Sequence, residues 1–337
     1  MSIIRDVSQT KEIYAKAGEQ GWVIPCFCSE NLTTTEAVLS AAEDFRTERG
    51  LQNLPVILAI TCLYPHRSQA VNYTHTKRWD TGLKLFTGDI KILCENGGPF
   101  EKLDVMIHLD HIQHDLDSVL LDGDLWDYAS VLYDASSLSL EQNIEKTAAF
   151  VKKRGSHIVI EGACDEIMDA DGGTHNDLTT PEQALRYWKE TGADLIVCNL
   201  GTEHRASGKD LQYRGDVSRR IKQQIGSRIV LHGTSSVSNE QVKNLYKDGI
   251  CKVNIWTALE RDSSPVLFAD MVRHAGEIAD AETLASLMAE KILADNTDGH
   301  IKPQMNLSRF TTLYRQNIVF DKMKSIAREY FQMWYKI

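Results

Sequence analysis

Eight short apolar runs recur along the chain: residues 22–28, 55–61, 105–111, 130–136, 157–161, 195–201, 228–232 and 251–257. Each is short and continuously apolar, the pattern of a strand buried on both faces. Most are separated by segments with helical spacing, over 9–19, 79–96, 139–153 and 238–248. Two further helices announce their ends. Thr33-Thr-Thr-Glu36 reads as a helix entrance, with Ala37, Leu39, Ala41 and Ala42 turned to the core. Thr180-Pro-Glu starts another, which runs to Thr191 and stops at Gly192. Alternation of this kind predicts parallel βαβ units, and eight of them predict a closed (β/α)₈ barrel. The open doubly wound sheet is the alternative, but no Gly-x-Gly-x-x-Gly turn follows the first strand to support it.

The remaining stretches complete the plan. Residues 281–295 and 307–335 read as additional helices, and no low-complexity linker sets them apart. The expectation is one domain over 1–337, with the barrel at about 22–275 and a C-terminal helical extension at about 281–335. The polar stretch after the second run, with Tyr64-Pro-His-Arg67, reads as an active-site loop. Residues 164–178 are acidic and glycine-bearing with little apolar periodicity, and read as a mobile lid whose candidate acids are Glu166, Asp169 and Asp171.

Composition narrows the function without naming it. A formal charge of −10 argues against a nucleic-acid surface but leaves room for a small anionic ligand. No apolar run approaches the roughly 20 residues of a membrane span, and the first residues lack a signal core, so the expected compartment is the cytoplasm. The seven cysteines are odd in number, scattered and without a Cys-x-x-Cys pair. Free thiols, mostly packed as small hydrophobes, are the better reading.

The chemistry gathers at strand ends. In a (β/α)₈ barrel these ends face one cavity, and His111, His204 and His232 would close the third, sixth and seventh strands. Three imidazoles that leave a coordination position open match a catalytic Zn²⁺ site. Asp110 has two readings: a carboxylate orienting an imidazole, or a general acid/base beside the metal. Strand neighbours point to opposite faces, so Asp110 and His111 share the cavity only if the backbone is irregular there. Gly233-Thr-Ser-Ser236 and Asn254-Ile-Trp-Thr257 follow the last two strands, the corner where this fold commonly holds phosphate.

Taken in order, these pieces resemble a class II, zinc-dependent fructose-bisphosphate or ketose-bisphosphate aldolase. The resemblance is carried by His108-Leu-Asp-His111, Asp134-Ala-Ser136 with Glu141-Gln-Asn-Ile144, Gly201-Thr-Glu-His204, Val230-Leu-His-Gly-Thr-Ser235 and Lys252-Val-Asn-Ile-Trp-Thr257. It implies Zn²⁺ on His111, His204 and His232, with a monovalent cation as a further candidate. It also implies an enediolate formed when the carbon–carbon bond breaks. Asp110 would carry the proton of the hydroxyl on the cleaved carbon. Gly233, Ser235 and Thr257 would hold a donor phosphate, Asn254 would contact donor hydroxyls, and Thr61 stands where the family commonly has a serine near substrate. A phosphorylated sugar is the implied partner, and a homodimer or homotetramer the implied assembly.

The departures cluster around substrate. Trp256 replaces a carboxylate, Arg205 follows the second zinc histidine where glycine is usual, and Cys28 replaces an asparagine. The phosphate loop reads Gly233-Thr234 and ends in Ser236, and the usual Glu-x-Glu of the fifth strand is Glu161-Gly-Ala163. An indole cannot reproduce a carboxylate's hydrogen bonds, and Arg205 adds a planar cation. Fructose 1,6-bisphosphate is therefore expected to be a poor substrate, and the preferred ketose to carry an anionic group near Arg205. Two other classes stay open. A metal-dependent epimerase or isomerase would need a second acid/base, with Glu161 or the acids of 165–171 as candidates, and a non-catalytic aldolase-like subunit would bind no metal.

Overall fold

The computed structural model describes residues 3–165, 178–202, 211–294 and 303–336. Nine strands form in chain order: β1 Ile3–Ile4, β2 Ile24–Cys28, β3 Leu54–Thr61, β4 Leu103–Gln113, β5 Ser130–Asp134, β6 Val159–Ala163, β7 Leu195–Val197, β8 Ile229–Leu231 and β9 Ile250–Ile255. Every pairing is parallel. β4 pairs with β5 and β9 with β2, so β2 to β9 close into an eight-stranded barrel. β1, which the sequence pattern did not announce, runs along the first half of β4, with Ile3 opposite Val105.

The strands divide their side chains by the two-residue alternation of extended chain. On β3, Val56, Leu58 and Ile60 join the large core beneath the helices, while Ile57 and Ala59 join Ile24, Cys26 and Cys28 in the interior. The interior is not wholly apolar. Lys252, Glu161 and His108 are fully buried there. Lys252 Nζ donates to both Glu161 oxygens at 2.6 and 2.8 Å and to His108 Nε2 at 3.0 Å. His108 Nδ1 pairs with Ser130 Oγ at 2.8 Å. All seven cysteines are buried and free.

The helices follow the expected order with local differences. The helix expected to open at Thr33 spans Leu32–Glu48 and is capped two residues earlier, Asn31 accepting from Thr34 N at 3.0 Å. Asparagine ranks above threonine as a cap, its side-chain oxygen accepting from an otherwise unpaired first-turn amide. Pro181–Thr191 carries the full capping box of Thr180 with Gln183 and ends on Gly192 in the left-handed region, φ +71°. The helix expected over 238–248 breaks into Asn239–Val242 and a 3₁₀ turn, Leu245–Asp248. A helix over Thr257–Arg273 was not anticipated from the sequence pattern. The last helix, Thr312–Trp334, lies against Leu32–Glu48 and the outside of β2. The Phe331 ring lies tilted at 59° to that of Phe27 with centroids 5.5 Å apart, Trp334 Nε1 donates to Val242 O at 2.9 Å, and Tyr335 donates to Pro55 O at 2.7 Å. Among the described residues no helix is long and apolar enough to cross a membrane.

Candidate active site at the barrel mouth

The end of β4 is where the regular barrel gives way. Its pairing with β3 continues in register to Asp110 opposite Thr61. Its pairing with β5 slips between Leu109 and Ile112, and His111 takes φ +48°. A side chain with a β-carbon in the left-handed region costs on the order of 1 kcal/mol or more. The gain is geometric: the bulge turns Asp110 and His111 into the same space, as the sequence pattern required.

Asp110 is 1% exposed and fully engaged. Its Oδ1 accepts from Asn254 Nδ2 at 2.8 Å, and its Oδ2 accepts from Arg67 Nη2 at 3.2 Å and from Cys28 Sγ at 3.3 Å. Burial alone would raise its pKa, but His111, His232 and Arg67 outweigh that and hold the carboxyl well below the usual range. Asp110 is thus an ionised carboxylate kept out of bulk water.

His111 is oriented by a different acid from the one beside it in sequence. Its Nδ1–H donates to Asp134 Oδ2 at 2.7 Å, and its ring stacks on Tyr64 at 4.6 Å and 8°. Asp134, at the end of β5, also accepts from Ser136 N at 3.1 Å, Ser136 Oγ at 2.6 Å and Gln113 Nε2 at 3.2 Å. Burial pushes its carboxyl up, yet the bonds from His111 and Ser136 bring it down to about 2. With Nδ1 so committed, His111 Nε2 faces His232 Nδ1 across 3.2 Å. His232 follows β8 directly, 2% exposed, with its carbonyl accepting from Thr202 Oγ1 at 2.7 Å.

Ligand atoms of Asp110, His111 and His232 lie within 4.8 Å of one another. Two buried imidazole nitrogens facing each other, one fixed by a carboxylate on its far side, suit a borderline divalent metal. His204 and Arg205 lie outside the described residues, as do Glu166, Asp169 and Asp171 of the expected lid.

The corner where the sequence leads one to expect a phosphate lies at the ends of β8 and β9. Gly233 adopts φ +68° and opens a 3₁₀ turn over Thr234–Ser236. Arg261 Nη1 holds Ser235 O at 3.0 Å. The 17-residue helix Thr257–Arg273 begins directly after β9, with Trp256 before its first turn. A single cavity is lined by Asp110, His232 and Asn254 together with Gly233, Ser235 and Thr257. Thr61 does not line it. Fully buried, its hydroxyl donates to Arg67 O and its amide donates to Gln69 Oε1 at 2.9 Å, so it anchors the following loop.

Two features escaped sequence reasoning. Arg67, from the polar loop, reaches the same cavity, and Asp134 is the partner of His111. Their only signals were Tyr64-Pro-His-Arg67 after a strand end and an aspartate closing the next strand. Glu161 is not placed as a second acid/base: both its oxygens are held by Lys252 inside the barrel.

A family model described as fructose-bisphosphate aldolase class-II matches residues 8–305. The chain belongs to the class II fructose-bisphosphate aldolase family. Within this family it is 26% identical over 260 residues to a sulfofructosephosphate aldolase of Alkalicoccus urumqiensis, a match covering 74% of this chain and 80% of that one. It is 25% identical to the D-tagatose-1,6-bisphosphate aldolase subunit GatY of Klebsiella oxytoca, covering 80% and 86%. The crystal structure of a Campylobacter jejuni fructose-bisphosphate aldolase superposes with a TM-score of 0.70 at 18% identity, covering 99% of this chain and 95% of that one. At that identity the superposition speaks for the barrel alone. The family membership makes this chain an aldolase-type lyase, and its low identity to relatives with several different substrates accords with a diverged preference.

Proposed function

We propose that this aldolase reversibly cleaves a phosphorylated ketose other than fructose 1,6-bisphosphate, with Asp110 as its proton carrier. The observation that carries the reading is the buried Asp110 in one cavity with His232 and the Gly233–Ser235 turn, with His111 facing His232 beside it. His111 and His232, with His204 as third ligand, would hold Zn²⁺. When bound, the metal supplies Lewis-acid stabilisation of the negative charge that develops on the donor oxygens as the carbon–carbon bond breaks.

The chain's own residues do the rest. Asp110 accepts the hydroxyl proton from the carbon being cleaved and returns it in condensation, its second oxygen steadied by Asn254. Asn254 lines the cavity and would contact a donor hydroxyl. The amides around Gly233 and Ser235, and the start of the helix at Thr257, offer donors to a phosphate. The whole chain would act as one domain in the cytoplasm, as a homodimer or homotetramer.

Product analysis with metal content tests the reading. One divalent metal per chain and release of a three-carbon phosphate plus an aldehyde are expected from the right ketose. A product with the carbon count of its substrate would replace the aldolase with an epimerase or isomerase. A chain without metal or turnover would be a non-catalytic subunit.

A further inference from the structure

Arg67 enters the cavity from a loop that is pinned at several points. Its amide donates to Tyr64 O at 3.0 Å, and its carbonyl accepts from Gln69 N at 3.1 Å and from the Thr61 hydroxyl. The side chain, 15% exposed, lies with its Cζ 4.6 Å from the centre of the Trp256 ring. A guanidinium has five N–H donors, and the acceptors found for it are one Asp110 oxygen at 3.2 Å and the Cys28 sulfur at 3.6 Å. Its Nε is buried and has no acceptor among the described residues. The same holds for Trp256 Nε1, on the ring that Arg67 covers.

Two unmatched donors on neighbouring side chains, at the wall of a cavity that also holds the Gly233–Ser235 turn, call for a ligand rich in acceptors. A buried donor left without an acceptor is costly, and a guanidinium held over an indole is a fixed planar fork suited to an oxyanion. We infer that Arg67, backed by Trp256, is a specificity-determining residue that takes an oxyanion of the substrate: a carboxylate, phosphate or sulfonate oxygen. The ligand class is a ketose bearing that anion within reach of Asp110. Because Arg67 also contacts Asp110, arrival of the anion draws the guanidinium away from the carboxylate that must accept the proton. This rests on the aldolase reading of the site, whereas anion binding itself does not.

The test therefore has two parts. Calorimetry of the metal-loaded full chain with inorganic phosphate and with sulfate should show binding that Arg67→Met weakens roughly 10- to 100-fold, the loss expected for a charged hydrogen bond. Arg67→Lys should fall between, since it keeps the charge and loses the fork. Equal affinity in wild type and Arg67→Met, with both folded by circular dichroism, would overturn the proposal. Cleavage of fructose, fructose 1-phosphate, fructose 6-phosphate and their tagatose counterparts then locates the anion. Arg67→Met should raise KM at least tenfold for the ketoses that carry the recognised group, and by much less for those that lack it. An equal change in kcat across all substrates would mean that Arg67 only balances the charge of Asp110, and would sink the inference. Failure of wild type to cleave any ketose, with phosphate binding still dependent on Arg67, would count against the aldolase reading and leave the anion site standing.

Discussion

Asp134 accepts from His111, Ser136 and Gln113 at once, so its carboxylate is fixed before any metal arrives. That bond sets the tautomer of His111 and leaves Nε2 to face His232. Asp134→Ala should lower divalent-metal affinity about 10- to 100-fold, the usual cost of losing such an orienting carboxylate. Equilibrium dialysis measures it, and unchanged affinity would mean that the bulge alone positions the ring. Asp110 and His111 were readable because two adjacent polar residues end an apolar run, and the alternation rule already required a backbone irregularity between them. Asp134 was less readable: a strand-end aspartate looks the same whether it faces substrate, a histidine or solvent. Arg67 was hidden for a different reason, since the reach of a loop side chain depends on how the loop folds back. Here Thr61 and Gln69 decide that, through contacts no local pattern encodes.

Among the elements, β4, β6 and β9 are tied across the barrel interior by Lys252, Glu161 and His108. Removing one partner of a buried ion pair strands the other, at about 3–5 kcal/mol. Lys252→Met should therefore lower stability by about that much in chemical denaturation, and adding Glu161→Leu should restore most of it. If the double variant were no more stable than the single one, the pair would not be the source of the loss. The helix Thr257–Arg273 carries a second electrostatic consequence. Burial, aided by Glu30, pushes Glu260 up to about 7 from an ordinary value near 4.5. Between those values the folded chain holds a proton that the unfolded chain has lost. Glu260 is thus best tolerated below pH 4.5, and its share of stability is lost as pH rises through about 7. Wild type should lose on the order of 1 kcal/mol more than Glu260→Gln between pH 5 and pH 8, the pKa shift being discounted for its partial exposure. Parallel denaturation curves at the two pH values would exclude the effect. The strands were legible because a doubly buried strand is an unbroken apolar run. The helix Thr257–Arg273 was not, because Pro265 and a mixed polar surface blur its period. The split near Asn244 also went unseen, for a short turn costs the pattern only one residue.

At the scale of the molecule, the alternation of eight apolar runs with helices was enough to imply closure, and β4–β5 and β9–β2 supply it. The covering of the outer wall by the helix Thr312–Trp334 was legible as a helix but not as a contact. Its aromatic face meets Phe27 and Phe45, far away in sequence, so only the folded chain brings them together. What the barrel presents at its mouth is a carboxylate beside two facing histidines, a tight turn at Gly233 and an arginine over Trp256, and the proposed role of Asp110 there is to move the proton of carbon–carbon cleavage. The most direct measurement compares wild type and Asp110→Asn, both metal-loaded, on a panel of phosphorylated ketoses, following aldehyde release and metal content together. Metal content should be the same in both, with cleavage reduced on the order of 100-fold or more in the variant, because an amide keeps the volume but cannot accept the proton. Equal cleavage rates in the two proteins at equal metal content would contradict it.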